Sequence, residues 1–341
     1  MTANNLPISV IIPTYNRASL IGRAIDSALR ESLPGDEIII INDGSTDNTD
    51  QILSSYKEPV KCHKITNSGA GAARNWGIKL AKNPLVAFLD SDDEWMPGKL
   101  SLQRAFMEAC PNVLFSFTNF AVTFKEGGDA HNFLINWHKD PRPWDEILNP
   151  GKSYSSICHL PDGVSDFNCY IGNLYPSLLR ISYCNTDTVV VRRAEAGEAL
   201  HFAEDLKWGE DWFCYSQLAK KGMAAYLDFE SAWQHGHEGG RLTDTDIING
   251  IITRITIMER IWGVDLEFQK KHSQIYKQFL DEQHLRKIKE LIALGRTAEA
   301  RAEIRLINWT PWPIRLMSTL PGVLARLLIT GRNLLRSTIG K

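Results

Sequence analysis

The chain has no basic surplus: 38 Lys and Arg stand against 40 Asp and Glu, a formal net charge of -2. That balance excludes the electrostatics of a general nucleic-acid binder. There is no C-x-x-C pair, and Cys62, Cys110, Cys158, Cys169, Cys184 and Cys214 are scattered over unrelated segments. A zinc ribbon or disulfide framework is therefore excluded, and reduced, mostly buried thiols are expected. No uninterrupted apolar run reaches the ~18 residues that a bilayer span requires. Met1 to Pro7 lacks a basic start followed by an apolar core, so no signal peptide is expected and the cytoplasm is the default compartment. Internal repeats and low-complexity tracts are also missing. What remains is 43% hydrophobic and 23% charged, an ordinary globular composition. At 341 residues it has length for one large domain with an appendage, or for two modest ones.

Short β-branched runs alternate with helical patterns through the first part. Ile8 to Ile12 reads as a buried strand, and Leu20, Ile21, Ala24, Ile25, Ala28 and Leu29 recur at helical spacing. Glu37 to Ile41, Val60 to Ile65, Leu85 to Leu89 and Val113 to Phe117 read as further strands. Asp47 and Asp50 have the spacing of a capping box, and Ala72 to Ala81 is helical. Strands separated by helices predict a mostly parallel, doubly wound sheet, in which ligands bind beyond the carboxyl ends of the strands. Residues 125–180 mix tryptophans, prolines and glycines without sustained periodicity, so short elements are expected there. Asn185 to Val191 reads as a returning strand and Asp211 to Lys221 as a helix capped by Gly222, and from Thr245 onward the pattern is almost wholly helical.

The strand ends carry the polar chemistry. Asp90-Ser91-Asp92-Asp93 crowds carboxylates that repel one another unless a cation or hydrogen-bond donors compensate. Mg²⁺ and Mn²⁺ take such oxygen ligands and bridge them to phosphates, whereas a solvated acidic turn capping the next helix is the competing reading. Asp43 in Asn42-Asp43-Gly44-Ser45 can accept from a uracil N3–H, or it can simply build an Asp-Gly turn. Gly69-Ala70-Gly71 opens a helix carrying Arg74, without the third glycine of a dinucleotide fingerprint. Glu210-Asp211 begins another helix, where one carboxylate can take a proton from an acceptor hydroxyl, or where both can merely favour the helix dipole. His235, His237 and Arg241 share a Gly-rich loop suited to completing a metal site and neutralising a diphosphate.

Taken together, these segments resemble the family 2 glycosyltransferases, which have the GT-A fold. Ser9 to Asn16 resembles that family's opening, Asn42 to Asp47 its second signature (usually with Asp at the place of Asn42), Asn67 to Asn75 its third and Asp90 to Asp93 its fourth. Phe202 to Trp212 resembles the later segment ending in a Glu-Asp pair, and His237 to Thr243 the closing loop. A second such pair, Glu204-Asp205, lies nearby. The resemblance covers roughly Pro7 to Leu242 and is thin between Lys125 and Arg180. It implies an inverting transfer of sugar from a nucleotide diphosphate, UDP favoured, to an acceptor hydroxyl in glycan, polysaccharide or glycolipid synthesis. Pro13, Thr14, Tyr15, Asn16 and Asp43 would hold base and ribose, with Arg74, Asp90, Ser91 and Arg241 also on the nucleotide sugar. Asp92, with His237, would bind Mn²⁺ or Mg²⁺, and Asp211 would be the base with Glu210 beside it.

The domains expected are a catalytic one over residues 1–244, split near residue 118 into nucleotide-sugar and acceptor halves, and a helical region over 245–341. From Arg305 to Lys341 there is no Asp or Glu, while arginines alternate with Trp309, Trp312 and many leucines. That pattern suits an anionic membrane surface and a lipid-linked acceptor, or else packing on the catalytic domain or in a homo-oligomer. Two rival functions are a sugar nucleotidyltransferase, which would need a Gly-rich loop after the first strand, and a non-catalytic nucleotide-sugar scaffold.

Overall fold

The computed structural model describes residues 6–236 and 246–327, and the chain divides in sequence into two compact units, 1–239 and 240–341. The first is built on an 11-stranded sheet. Its strands are β1 (Ile8–Thr14), β2 (Glu37–Asn42), β3 (Val60–Lys64), β4 (Leu85–Phe88), β5 (Glu94–Trp95), β6 (Val113–Thr123), β7 (Asp129–Ala130), β8 (Lys152–Ser153), β9 (Asn168–Gly172), β10 (Val190–Arg192) and β11 (Met223–His235). The order is β3-β2-β1-β4-β10-β6-β11-β9-β8, with β5 on β11 and β7 on β6. β1, β2, β3 and β4 pair in parallel, as do β6 and β11.

Continuous apolar runs form β1 and β2 because both faces are covered: every residue of each is buried. One covering helix, Ile21–Glu31, buries Ile21, Ala24, Ile25 and Ala28, the stripe its sequence spacing predicts. Another, Ala70–Leu80, lies so close to β1 that a Cβ on Gly77 would stand 2.4 Å from Ile11 Cγ2. A third, Lys99–Ala109, is pinned by Arg104, whose guanidinium donates to both Asp36 oxygens at 3.0 and 2.6 Å. The Asp36 side chain is fully buried. Arg104→Met leaves that buried charge with only the Ile8 and Leu33 N–H donors and no cation, so urea denaturation is expected to read a loss of about 3–5 kcal/mol. A loss under 1 kcal/mol would mean that the pair contributes little.

Local expectations fail where tertiary partners compete. The predicted capping box does not form: the short helix Thr49–Leu53 begins at Asn48 without a side-chain cap. Asp47 accepts from Thr49 N–H and reaches back to Ala18 N–H, while Asp50 is held by the Asn42 amide and the Lys64 ammonium. The returning strand is shorter than expected, because Thr186–Thr188 is a 3-10 turn and only Val190–Arg192 pairs, antiparallel to β4 and β6. Residues 125–180 hold β7, β8, β9 and short helices such as Trp144–Ile147, whose Trp144 ring stacks 4.0 Å from Tyr226. None of the six thiols is in a disulfide, and four are buried.

The second unit is helical: Ile247–Met258, a π turn at Glu259–Gly263, Leu266–Ala293, Thr297–Ile304 and Trp312–Thr319. Asp265 caps the long helix by accepting from Glu267 and Phe268 N–H groups, each at 3.1 Å. Ile248, Ile288, Leu291, Ile292, Ala300, Ile307 and Ala325 form its core. No helix among the described residues is long and apolar enough to cross a membrane.

Candidate active site

Polar side chains converge at the carboxyl ends of β1, β2 and β4. Beyond Pro13 and Thr14, Asn16 adopts a left-handed conformation (φ 52°), which its short amide tolerates. Its N–H donates to Ser45 Oγ at 2.9 Å and its Oδ1 accepts from Thr46 N–H at 2.8 Å, lacing the first loop to the second. Tyr15 stays exposed beside it. Thr14 Oγ1 is buried without a hydrogen-bond partner among the described residues.

Asp43 is buried and accepts from Ser68 N–H at 2.7 Å and Gly69 N–H at 2.9 Å. It therefore pins the loop that opens the helix Ala70–Leu80, while each oxygen keeps a second lone pair for a ligand N–H. Burial raises its pKa, and those two donors oppose the rise. In the first turn of that helix, a Cβ on Gly71 would meet Glu210 Cγ at 3.3 Å, so the missing side chain makes room for Glu210.

Arg74 is the hub. It is 4% exposed, donates to Asp90 Oδ1 at 2.6 Å and to Glu210 Oε1 at 2.8 Å, and lies over the Phe202 ring. One guanidinium thus joins residues 16 and 136 positions away, bringing the acidic loop beside the helix Glu210–Lys221. Asp211, half-buried in that helix's first turn, bonds to Trp212 N–H. Burial pushes its carboxyl up to about 7; Glu210 reinforces the shift and Arg74 opposes it. The other Glu-Asp pair is placed differently, since Glu204 is exposed and accepts from the Asn75 amide.

Beside the acidic loop, in the 3-10 turn Thr186–Thr188, stands an acid that the sequence pattern did not single out. Asp187, fully buried, accepts from Asp90 N–H at 2.7 Å. Asp90, Asp93 and Asp187 offer carboxylate oxygens all within 4.8 Å of one another. Its signal was an acid in Asn185-Thr186-Asp187-Thr188, just ahead of an apolar strand. Burial first, then Asp90, pushes the Asp187 carboxyl up to about 7. Asp93 rises well above the carboxylate range through burial and then the charges of Asp187, Asp92 and Asp90. An all-oxygen donor set with surplus negative charge fits Mg²⁺ or Mn²⁺. Asp92 stands apart from this trio, 3.4 Å from Arg17 Nε, and Ser91 is buried. At the end of β11, His235 N–H donates to Asp93 at 2.8 Å and its ring meets Glu94. His237 and Arg241 lie outside the described residues.

A carboxyl whose pKa is raised by folding holds its proton longer in the folded chain than in the unfolded one. Its contribution to stability therefore falls as pH climbs from about 4 through 7. Asp187→Asn lacks that liability. Thermal melts in EDTA should show the variant gaining on the parent between pH 5 and 8, and a pH-independent difference would contradict the raised Asp187 value.

A family model described as Glycosyl transferase family 2 matches residues 9–159. The putative teichuronic acid biosynthesis glycosyltransferase TuaG of Bacillus subtilis (strain 168) is 30% identical over 223 residues, 64% of this chain and 74% of that protein. A UDP-Glc:alpha-D-GlcNAc-diphosphoundecaprenol beta-1,3-glucosyltransferase, WfaP of Escherichia coli, is 41% identical over 117 residues, 34% of this chain and 46% of its own length. Matching uncharacterized glycosyltransferases of Rickettsia bellii and Rickettsia conorii are longer, and this chain covers 28% and 32% of them. In fold, S. aureus TarS 1-349 in complex with UDP-GlcNAc superposes with a TM-score of 0.55 at 20% identity, over 83% of this chain and 72% of that one.

Proposed function

Because the chain belongs to glycosyl transferase family 2, we propose that this cleft transfers a sugar from UDP-sugar to an acceptor hydroxyl with inversion at the anomeric carbon. One observation carries the reading: Arg74 hydrogen-bonds Asp90 and Glu210 at once, so the acidic loop and the helix turn that bears the candidate base Asp211 are held side by side. The naming of UDP draws on the UDP-GlcNAc of the TarS complex and the UDP-glucose of the WfaP name, together with buried Asp43. The diphosphoundecaprenol-linked acceptor for which WfaP is named favours a lipid-linked glycan here too.

In this reading Thr14, Tyr15, Asn16 and Asp43 hold the base and ribose. Asp92 and Asp90 would hold the divalent cation, and Asp93 and Asp187, which cluster with Asp90 and would lose their protons on binding it, would complete the donor set. His237, outside the described residues, is the loop ligand the family resemblance implies. When bound, the cation supplies Lewis-acid neutralisation of the departing diphosphate. Asp211 takes the acceptor's proton as its oxygen bonds to the anomeric carbon, and the glycosidic electron pair leaves with UDP. Inversion needs one base and no nucleophilic carboxylate. Arg74 neutralises part of the charge that Asp90, Glu210 and Asp211 bring together and thereby keeps Asp211 from staying protonated.

The test is transfer, or slow hydrolysis, of UDP-sugars supplied with Mn²⁺. Tight binding without turnover would leave only a scaffold. A base whose pKa lies at about 7 must lose its proton to work. Accordingly kcat should climb from pH 6 to pH 8 along a limb centred near that value. A flat profile across this range would exclude Asp211 as the base.

A further inference from the structure

The second unit segregates its charges. Exposed pairs of mixed sign, Lys270 with Glu267 and Arg296 with Glu299, mark its ordinary water-facing surface. Beyond Glu303, whose carboxylate is buried against His284 and Lys287, the chain carries no acid at all, while Arg305, Arg315, Arg326, Arg332, Arg336 and Lys341 follow. In the helix Trp312–Thr319 the core-facing side uses Ile314 and Met317, which pack against the unit's apolar core. Trp312, Arg315, Leu316 and Thr319, spaced three and four apart, then share the opposite side. All four are exposed, Trp312 at 74%, and Trp309 just before the helix is at 70%. Leu306, Val323 and Leu327 are exposed as well.

Water does not favour this composition, because large apolar side chains gain nothing from standing in it. Its charge is of one sign, for which the phosphates of an anionic surface are the complement. We infer that this face docks on an anionic lipid bilayer: Trp309 and Trp312 enter the headgroup boundary, where an amphipathic ring is most at home, and Arg305 and Arg315 meet lipid phosphate. Burying apolar faces provides the depth of insertion, and the one-signed charge selects the lipid. This inference is independent of the chemistry proposed for the cleft and can stand or fall without it.

The full chain, without nucleotide sugar, is sedimented with sucrose-loaded vesicles of phosphatidylcholine alone or with roughly one-third phosphatidylglycerol. Association with the anionic vesicles, weakened by salt and accompanied by a blue shift of tryptophan emission, is expected. Arg315→Gln should weaken it about fivefold. Trp309→Ser with Trp312→Ser should weaken it further, with the melting temperature and the transfer rate to a soluble acceptor unchanged. Equal binding to neutral vesicles would overturn the inference. So would no binding, parent-like binding by both variants, or a dimer in solution that the tryptophan substitutions dissociate. Should the tryptophan variant unfold, the exposed single substitution Arg315→Gln decides alone.

Discussion

Asp211→Asn is expected to lower kcat by about 10²–10⁴ while leaving UDP-sugar affinity nearly unchanged. The amide keeps the size and the hydrogen bond to Trp212 N–H but cannot accept a proton at any working pH. Its effect therefore falls on the chemical step alone. Glu210→Gln offers the contrast. Its carboxylate is buried against Arg74, so that variant unsettles the cleft as well as its charge, and kcat and KM should move together. An Asp211→Asn enzyme retaining a tenth or more of parental kcat would transfer the base role elsewhere, first to Glu210.

Metal removal is the second large effect. With Mn²⁺ present, a UDP-sugar at a hundred times its Kd should stabilise the chain by about 2.7 kcal/mol, several degrees in a thermal melt. With EDTA, or in Asp92→Ala, most of that shift should vanish, together with transfer activity. Asp90→Asn should behave similarly, because its carboxylate is the most exposed of the clustered trio. Undiminished stabilisation of Asp92→Ala by the metal-bound donor would exclude Asp92 as a ligand. Asp92 lies 3.4 Å from Arg17, which must loosen its hold if this carboxylate is to take the ion.

The N-terminal strands and helices were legible because their signals are local. Ile8 to Thr14 and Glu37 to Asn42 are apolar runs broken by turn residues, and both are buried strands. Ile21, Ala24, Ile25 and Ala28 repeat every three or four residues, and that periodicity is what the sheet covers. Elements held by distant partners were not legible. Trp144–Ile147 is a single helical turn, and what secures it is the stack of Trp144 on Tyr226, more than eighty positions away. Asp50 had the spacing of a cap, but Lys64 on β3 draws it elsewhere. In the site, clustered acids announced the acidic loop. Asp187 did not stand out, since only the antiparallel insertion of β10 carries it to Asp90. Arg74 stood out only as a cation near a glycine-opened helix, and its double embrace of Asp90 and Glu210 depends on residues too distant in sequence to read.

That embrace limits how such enzymes can be recombined. A chimera taking the acceptor-side half from a relative inherits whatever side chain lies opposite the guanidinium. Unless it is an acid of glutamate's reach, Arg74 keeps one partner of two and the transplanted helix loses its tie to the acidic loop. Grafts intended to change acceptor choice should therefore be cut so that positions 74, 90 and 210 travel as a set.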